Sequence, residues 1–327
     1  FGQRLQKSRF VRMKAARGDR HGNARQLDID AEWRGIERAD AEISRVAEGK
    51  IDVLIGTHAV IQDAVEFRNL ALVITDEQHR FGVDQRKKLA AKGRNPDILV
   101  MTATPIPRTL AVILFGDLDI SAIDELPPGR KAVETKAVTA RQRKKVYEFA
   151  GRQIEEGRQV YVVAPLIEDS ETVDASSAVA LYHELQGVFP GRNVALVHGG
   201  MRQEEKERVM QAFAEGAVDL LAATVVIEVG INVPNATVMI IENSERFGLA
   251  QLHQLRGRVG RGEHPSYCFL ITDSKAELGR RRAKIIESSS DGFAIAEKDL
   301  QMRGPGEFFG TKQHGLPELT VADLVRH

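Results

Sequence analysis

The chain has 327 residues, which favours two domains, and its 46 Lys and Arg balance 46 Asp and Glu, so any nucleic-acid contact must come from local clusters of charge. The one cysteine, Cys268, excludes a disulfide framework and stands in an apolar run that is typical of a buried strand. We find no signal peptide and no apolar run of about 18 residues, so the composition indicates neither export nor membrane spanning and favours a cytoplasmic protein.

Residues 1–35 are set apart by their basic composition. Among residues 1–25, eight Lys and Arg face one acid, Asp19, and there is little apolar periodicity. This composition favours a disordered basic tail, and we predict one for residues 1–35. The alternatives are a nucleic-acid-binding arm, or a segment foreign to the fold that was left by a truncated or frame-shifted gene.

Residues 36–125 have the pattern of an α/β domain. A helix is predicted over 36–48, and buried strands are predicted in the apolar runs 51–55, 70–75 and 97–101. Strands that alternate with polar loops and helical stretches predict a parallel sheet covered on both faces. Ligands bind at the carboxyl ends of such strands. Those ends carry Thr57, His58, Asp76, Glu77, Thr102 and Thr104.

The second half of the chain repeats the alternation. Two prolines and a glycine predict an interdomain linker at 126–131, followed by a second doubly wound domain over 132–274. Its predicted strands are 159–164, 194–197, 220–223, 238–241 and 267–272, and its predicted helices are 174–187 and 202–215. The last segment, 275–327, reads as a helical hairpin. The predicted fold class is therefore α/β, with two parallel-sheet domains and a C-terminal helical hairpin.

Two adjacent acids follow the strand at 70–75. A carboxylate at a strand end, Asp76, can hold the Mg²⁺ of a nucleotide through water, and its neighbour Glu77 can orient the attacking water or accept its proton. Two solvated loop acids are the alternative. Thr102 and Thr104, which precede prolines, can hydrogen-bond to the acid pair and relay its state, or can form a turn that starts a helix.

Two arginines three residues apart lie near residue 260. We expect Arg258 and Arg261 to point the same way from a helix start, where planar guanidinium groups could neutralise a transferring phosphate. Gln254 could hydrogen-bond to the same phosphate or to the attacking water. A Gly/Arg-rich basic turn is the alternative. An NTPase motor needs both the acids and the arginines, yet the chain contains no G-x-x-x-x-G-K-[ST] phosphate loop.

Other polar residues follow predicted strands of the second domain. Thr224 lies at one strand end, Gly230 permits close approach of a ligand to the backbone, and Asn232 could reach a ribose. His198 and Gly199 precede a helix whose free N–H groups could bind a nucleic-acid phosphate. A simple turn is the alternative at His198.

These segments, in this order, resemble the superfamily 2 helicases, and within them the RecG-type ATP-dependent DNA helicases. The resemblance covers roughly residues 36–327. The segments that carry it are Gly56-Thr57-His58, Asp76-Glu77-Gln78-His79, Thr102-Ala103-Thr104-Pro105, Gln254-Leu255-Arg256-Gly257-Arg258-Val259-Gly260-Arg261, Ile123-Asp124-Glu125-Leu126-Pro127-Pro128-Gly129-Arg130, and the run from Asp299 to Gln313.

The resemblance implies two RecA-like domains, the first N-terminally truncated, that hydrolyse ATP with Mg²⁺ at their cleft. It implies coupling roles for His79, Thr102 and Thr104, and DNA contacts at Thr57, His58, His198, Gly199 and Thr224. Arg303 and Gln313 would belong to a hairpin that converts domain closure into movement on duplex DNA. The implied partners are replication forks and Holliday junctions, with single-stranded-DNA-binding protein as a further partner. The implied enzyme is a monomer of the bacterial cytoplasm that acts in recombination and repair.

The sequence departs from the family pattern in four places. The wedge domain and the phosphate loop are missing, residues 1–35 do not match, and Val225 replaces a usual threonine. We therefore expect this chain to bind ATP poorly and to be an incomplete motor. One alternative is a non-catalytic DNA-binding remnant, which salt-sensitive DNA binding without stimulation by ATP would favour. The other is a fragment of a transcription-repair coupling factor.

Overall fold

The computed structural model describes residues 14–18, 24–25, 43–56, 58–77, 83–102, 119–123, 125, 130–165, 171–224, 232–272 and 277–303. The chain divides into two compact units, Phe1–Ala103 and Thr104–His327. The linker at 126–131 stays a prediction, since only its last two residues are described.

Among its described residues, the first unit contains five short strands, one helix of eight residues and a shorter helical stretch at 43–47. The strands are β1 (Lys14–Gly18), β2 (Ala24–Arg25), β3 (Val53–Ile55), β4 (Leu72–Thr75) and β5 (Asp97–Val100), and the helix is α1 (Val83–Ala90), with a 3-10 turn at His58–Ile61. Of the helix predicted at 36–48, residues 43–47 are helical and residues 36–42 lie outside the described part.

These five strands form two sheets. β4 and β5 pair in parallel, as predicted. The expectation that the strand at 51–55 joins them is wrong within the described residues, because β3 pairs antiparallel with β1, which also pairs with β2. Strand pairing needs only backbone N–H and C=O groups, so a basic segment can supply a strand without an apolar pattern. Part of the segment for which composition favours disorder is therefore extended, and the rest of it is outside the described residues.

The faces of β4 differ in burial. Val73 is 6% exposed, whereas Leu72 and Ile74 are 53% and 55% exposed. A strand with a period-2 burial pattern packs one face only. The expectation of a sheet covered on both faces is thus wrong for β4.

The second unit is built on one parallel sheet of six strands. They are β6 (Val133–Thr139), β7 (Gln159–Val163), β8 (Val194–Val197), β9 (Leu220–Ala223), β10 (Ala236–Ile241) and β11 (Ser266–Thr272). Their order is β6-β11-β10-β7-β9-β8, and every pairing is parallel. Five of the six were predicted to within two residues. β6 was missed because four of its seven residues are polar, so it lacks a continuous apolar run.

Helices cover both faces of this sheet. They are α2 (Arg143–Glu155), α3 (Glu171–Val188), α4 (Gln203–Ala214), α5 (Leu249–Arg256), α6 (Glu277–Ser288) and α7 (Gly292–Arg303). Every residue of β7, β9 and β10 is buried. Alternate side chains of these strands enter two separate cores. One core packs against α2 and α3, and the other against the remaining four helices. Cys268 in β11 is fully buried, as predicted, and burial raises the pKa of its thiol to about 12.

Two helices occupy the start of the predicted C-terminal hairpin. α6 matches the basic helix predicted up to Ser288, and α7 ends at Arg303. α5 packs against both of them. Across the described ranges, no helix is long and apolar enough to cross a membrane.

Candidate functional site

The acid pair lies at the carboxyl end of β4. Asp76 is exposed, and its Oδ1 accepts a hydrogen bond of 2.9 Å from the backbone N–H of Glu77. Glu77 has a φ of 52°, in the left-handed region that non-glycine residues rarely adopt. Such strain costs on the order of 1 kcal/mol and is found where a side chain has to be aimed. The chain therefore turns sharply at the point where both carboxylates leave the strand.

Thr102 follows the neighbouring strand. Thr75 pairs with Val100, and the N–H of Met101 donates to the carbonyl of Thr75 at 2.8 Å, so Asp76 and Thr102 emerge from adjacent strand ends. The prediction that these polar segments share one sheet edge is confirmed for the two residues. Thr57, His79 and Thr104 lie outside the described residues, and only the backbone of His58 is described, in a 3-10 turn.

The donor set at this edge fits one kind of metal. In the described part of the chain there is no group of three or more His, Cys, Asp or Glu that could hold an ion. A metal caged entirely by protein therefore does not fit. Mg²⁺ keeps most of its waters and needs only one or two carboxylates beside nucleotide phosphates. The exposed carboxylate of Asp76 meets that requirement.

The arginines follow a helix end. α5 ends at Arg256, and Gly257 is its C-cap. The expectation that Arg258 and Arg261 project from a helix start is therefore wrong. They lie in residues 257–263, which we call the arginine loop. A helix C-terminus carries partial negative charge, which stabilises cations there.

The arginine loop packs against the start of β6, since a Cβ on Gly260 would lie 2.7 Å from Cγ2 of Val133. Burial raises the pKa of Tyr161, in β7, to about 12, and the charges of Arg258 and Arg261 lower it. Arg258 is half-buried, and Arg261 Nε donates to the carbonyl of Gly257 at 3.0 Å. Gln254 is half-buried on the last turn of α5, the helix that leads into this loop. A phosphate role for these three residues stays a prediction.

Arg130 and Lys131 also donate hydrogen bonds to the arginine loop, and the sequence analysis singled out neither as a site residue. Arg130 Nη2 donates to the carbonyl of Gly257 at 3.1 Å. Lys131 Nζ donates to the carbonyl of Glu263 at 2.6 Å. Both donors come directly after the proline-rich stretch that marked a linker, and no local pattern relates them to a loop about 130 residues away.

Arg256 is a second residue that the sequence reading missed. It is 6% exposed, and its Nη1 donates to the carbonyls of Ile286 and Ser289, each at 2.7 Å. Its Nη2 lies 2.9 Å from Nδ1 of His253. Burial, assisted by the charges of Arg256 and Arg130, lowers the pKa of His253 to about 4, so the ring is neutral and accepts this bond. Arg256 therefore ties the helix before the arginine loop to the end of α6.

A second polar edge lies at the ends of β8 and β9. Val197 pairs with Ala223, so His198 and Thr224 leave neighbouring strands. Nδ1 of His198 and Oγ1 of Thr224 are both buried, and neither has a hydrogen-bond partner among the described residues. A buried polar atom without a partner costs about 1–3 kcal/mol, and a bound ligand or water offsets that cost. These two atoms therefore mark a place where a polar ligand fits.

Charges around this edge are mixed. Lys206 Nζ donates to the carbonyl of Gly199 at 2.7 Å, which adds a cation that the sequence reading did not single out. The first turn of α4 carries Glu204 and Glu205, and Glu205 accepts the N–H of Arg202. These acids weaken the case for a phosphate on the helix N-terminus itself. Lys206 is the better phosphate contact.

The remaining predicted site residues are scattered or lie outside the described part. Asn232 is exposed just before β10. Arg303 is the last residue of α7, and its side chain is not described. Gly230 and Gln313 lie outside the described residues.

Three protein-family models match the chain. Residues 16–113 match the DEAD/DEAH box helicase family, and residues 141–263 match the helicase conserved C-terminal domain. Residues 289–327 match domain 3, C-terminal, of the ATP-dependent DNA helicase RecG. The first match begins at residue 16, so the prediction that residues 1–35 do not match the family is wrong for residues 16–35. For residues 1–15 it stays a prediction.

The most similar relatives include ATP-dependent DNA helicases RecG. The protein of Bacillus subtilis is 54% identical over 284 residues, which is 86% of this chain and 42% of the relative. The proteins of Thermotoga maritima and Synechocystis are 56% and 55% identical over 86% of this chain, and 36% and 34% of those relatives are covered. The chain thus spans less than half the length of these relatives.

Solved structures similar to this chain include a RecG structure. A structure of RecG bound to a three-way DNA junction superposes with a TM-score of 0.68 at 50% identity, over 89% of this chain and 37% of that chain. The yeast helicase Dbp5, bound to RNA and ADP BeF3, gives a TM-score of 0.52 at 15% identity, which shows the shared fold alone. With the parallel sheets, the acid pair and the arginine loop in place, this chain belongs to the RecG family of ATP-dependent DNA helicases.

Proposed function

We propose that this chain supplies motor elements of a RecG-type ATP-dependent DNA helicase that acts on branched DNA. In the complete enzyme, ATP hydrolysis would drive fork regression and Holliday junction branch migration during recombination and repair. The observation that carries the proposal is the arginine loop, which contains Arg258 and Arg261 and directly follows the helix that carries Gln254. The identity to RecG relatives, at 54% over 86% of this chain, supports it.

Two sets of residues would carry the proposed chemistry. ATP with its Mg²⁺ supplies the phosphoryl group and the metal that neutralises its oxygens. Asp76 would hold that metal through water, and Glu77 would accept a proton from the attacking water. Arg258 and Arg261 would stabilise charge that develops on the phosphate oxygens, because their planar forks match phosphate geometry.

Other residues would bind the nucleotide or report its state. Gln254 would orient the attacking water. Gly230 and Asn232 would contact the nucleotide. Thr102 and Thr104, together with His79, would relay the state of the acid pair.

DNA contacts are proposed at the second polar edge. The solved RecG was bound to a three-way DNA junction, and we propose the same class of substrate here. A phosphate would accept hydrogen bonds from Thr224 Oγ1 and Lys206 Nζ, and His198 would contribute a ring nitrogen. Further proposed DNA contacts and translocation residues are Thr57, His58, Gly199, Arg303 and Gln313. A monomeric enzyme of the bacterial cytoplasm, with single-stranded-DNA-binding protein as a partner, completes the proposal.

A second candidate function is DNA binding without catalysis. The observation that favours it is the polar edge at the ends of β8 and β9, where Nδ1 of His198 and Oγ1 of Thr224 are buried without a hydrogen-bond partner among the described residues. The two functions differ in a direct way, since only the motor couples DNA binding to ATP turnover.

The deciding experiment is ATP hydrolysis by this chain with and without a three-way DNA junction. The test variant is Asp76→Asn with Glu77→Gln, and the matched control is Asp63→Asn with Glu66→Gln, two exposed acids of the same unit. Motor function predicts junction-stimulated hydrolysis that falls at least about 100-fold in the test variant only. Hydrolysis that is equal in both variants would refute the assigned roles. Salt-sensitive junction binding with no hydrolysis would favour the second candidate.

A further inference from the structure

Arg130 and Arg261 approach one backbone carbonyl together. Arg130 Nη2 and Arg261 Nε lie 3.1 Å and 3.0 Å from the oxygen of Gly257, so the two nitrogens are at most about 6 Å apart. At that separation two like charges repel measurably even near a protein surface. A neutral carbonyl offsets only part of that repulsion.

No described carboxylate forms an ion pair with either arginine. Glu263, which is in the loop, contributes its backbone carbonyl to Lys131 rather than its side chain to an arginine. Burial lowers the pKa of Arg261, and the charge of Arg130 lowers it further. Arg130 and Arg261 together thus carry positive charge that a bound anion would balance.

The backbone holds these cations in place. Gly260 has a φ of +76°, and a Cβ there would lie 2.7 Å from Cγ2 of Val133 and 3.3 Å from the carbonyl of Lys131. The loop therefore lies directly against the segment that carries Arg130. Charges held by a packed backbone bind a ligand with little loss of conformational entropy.

We propose that Arg130 is a third phosphate-binding arginine, and that Arg130, Arg258 and Arg261 together bind the polyphosphate chain of a nucleotide. A guanidinium group has five N–H donors, and among described residues Arg130 uses one of its groups on Gly257. The rest of its fork can bind phosphate oxygens in bidentate fashion. This inference rests on the proposed function, because the same loop serves the nucleotide, but it requires no hydrolysis.

The test is calorimetric titration of the 327-residue chain with inorganic tripolyphosphate. Arg130→Gln removes the charge and keeps an amide donor for the Gly257 carbonyl. Arg208→Gln, on the exposed side of α4, removes one positive charge elsewhere and is the matched control. We expect roughly tenfold weaker binding for Arg130→Gln, and affinity within about twofold of the parent for the control.

Equal affinity of Arg130→Gln and the parent, or no binding by the parent, would overturn the proposal. Protection of the buried Cys268 from a thiol reagent reports that each variant is folded. If the thiol reagent labels Cys268 in Arg130→Gln, that variant is not folded and Arg130→Lys is titrated instead. We expect about threefold weaker binding of tripolyphosphate by Arg130→Lys. Unchanged affinity would count against the proposal. If the chain binds tripolyphosphate but shows no junction-stimulated hydrolysis, the phosphate site stands and the proposed helicase function fails. If the chain hydrolyses ATP and Arg130→Gln binds tripolyphosphate as tightly as the parent, the helicase function stands and the role of Arg130 fails.

Discussion

Replacing Arg256 by methionine should destabilise the second unit strongly. The guanidinium is 6% exposed and donates to the carbonyls of Ile286 and Ser289 at 2.7 Å. Hydrogen bonds to charged groups contribute about 1.5–3 kcal/mol each. Methionine keeps the apolar stem and leaves both carbonyls without this donor. Two lost bonds therefore predict a fall of about 3–6 kcal/mol in the free energy of unfolding, a large share of the total of about 5–15 kcal/mol that is usual for a domain.

Cys268 provides a local assay for this loss. It is the one cysteine in the chain and is fully buried in β11, and burial raises the pKa of its thiol to about 12. A thiol reagent reaches it only through opening of the second unit, so the labelling rate follows the free energy of that opening. A loss of about 3–6 kcal/mol predicts labelling faster by about two to four orders of magnitude.

The control is Arg281→Met, an exposed arginine on α6. Surface substitutions of this kind change stability by about 0.5 kcal/mol or less, so its labelling rate should stay within about threefold of the parent. If Arg256→Met labels as slowly as the control, the hydrogen bonds from Arg256 do not hold α5 to α6, and the reasoning from buried charge is refuted.

Two further predictions concern the surroundings of the arginine loop. Burial lowers the pKa of His253 to about 4 in the folded chain, from an ordinary value of 6.5, so its contribution to stability is complete above pH 6.5 and is lost as the pH falls towards 4. For this partly exposed ring we expect the free energy of unfolding to fall by about 1–2 kcal/mol, seen as a lower urea midpoint at pH 4.5 than at pH 7. An equal fall in the urea midpoint of His253→Gln would contradict this prediction. Gly260→Ala should cost more than Gly191→Ala in urea unfolding, by about 1–3 kcal/mol, because both glycines have a positive φ but only a Cβ at Gly260 meets neighbouring atoms within 4 Å. Equal costs would show that the contact with Val133 is relieved without strain.

Local pattern was sufficient for most of the second unit. The runs that became β7, β8, β9, β10 and β11 are almost wholly apolar, and a continuous apolar run is typical of a strand in a covered parallel sheet. This was true of the edge strand β8 as well as of the central strands. β6 was missed because four of its seven residues are polar.

Pairing and position depended on contacts far apart in the chain. The run at 51–55 indicates a strand, but its apolar residues do not say that its partner is the basic segment Lys14–Gly18, because backbone groups make that pairing. The residues of the acid pair and of the arginine loop were likewise recognisable by type and spacing. Their orientation was not, since the arginines follow a helix end rather than a helix start.

The sequence by itself determined the α/β class, five of the six strands of the second unit and the residue types for which phosphate chemistry is proposed, since all of these depend on local periodicity and on chemical identity. Tertiary structure alone decided which arginines are buried and which share a hydrogen-bond acceptor. Arg256, Arg258 and Arg261 look alike in the sequence, yet the first is bound to the carbonyls at the end of α6 and the third shares the Gly257 carbonyl with Arg130, 127 residues away. The physical reason is that a guanidinium acquires its role from the donors, acceptors and charges around it, and those come together only when the chain folds.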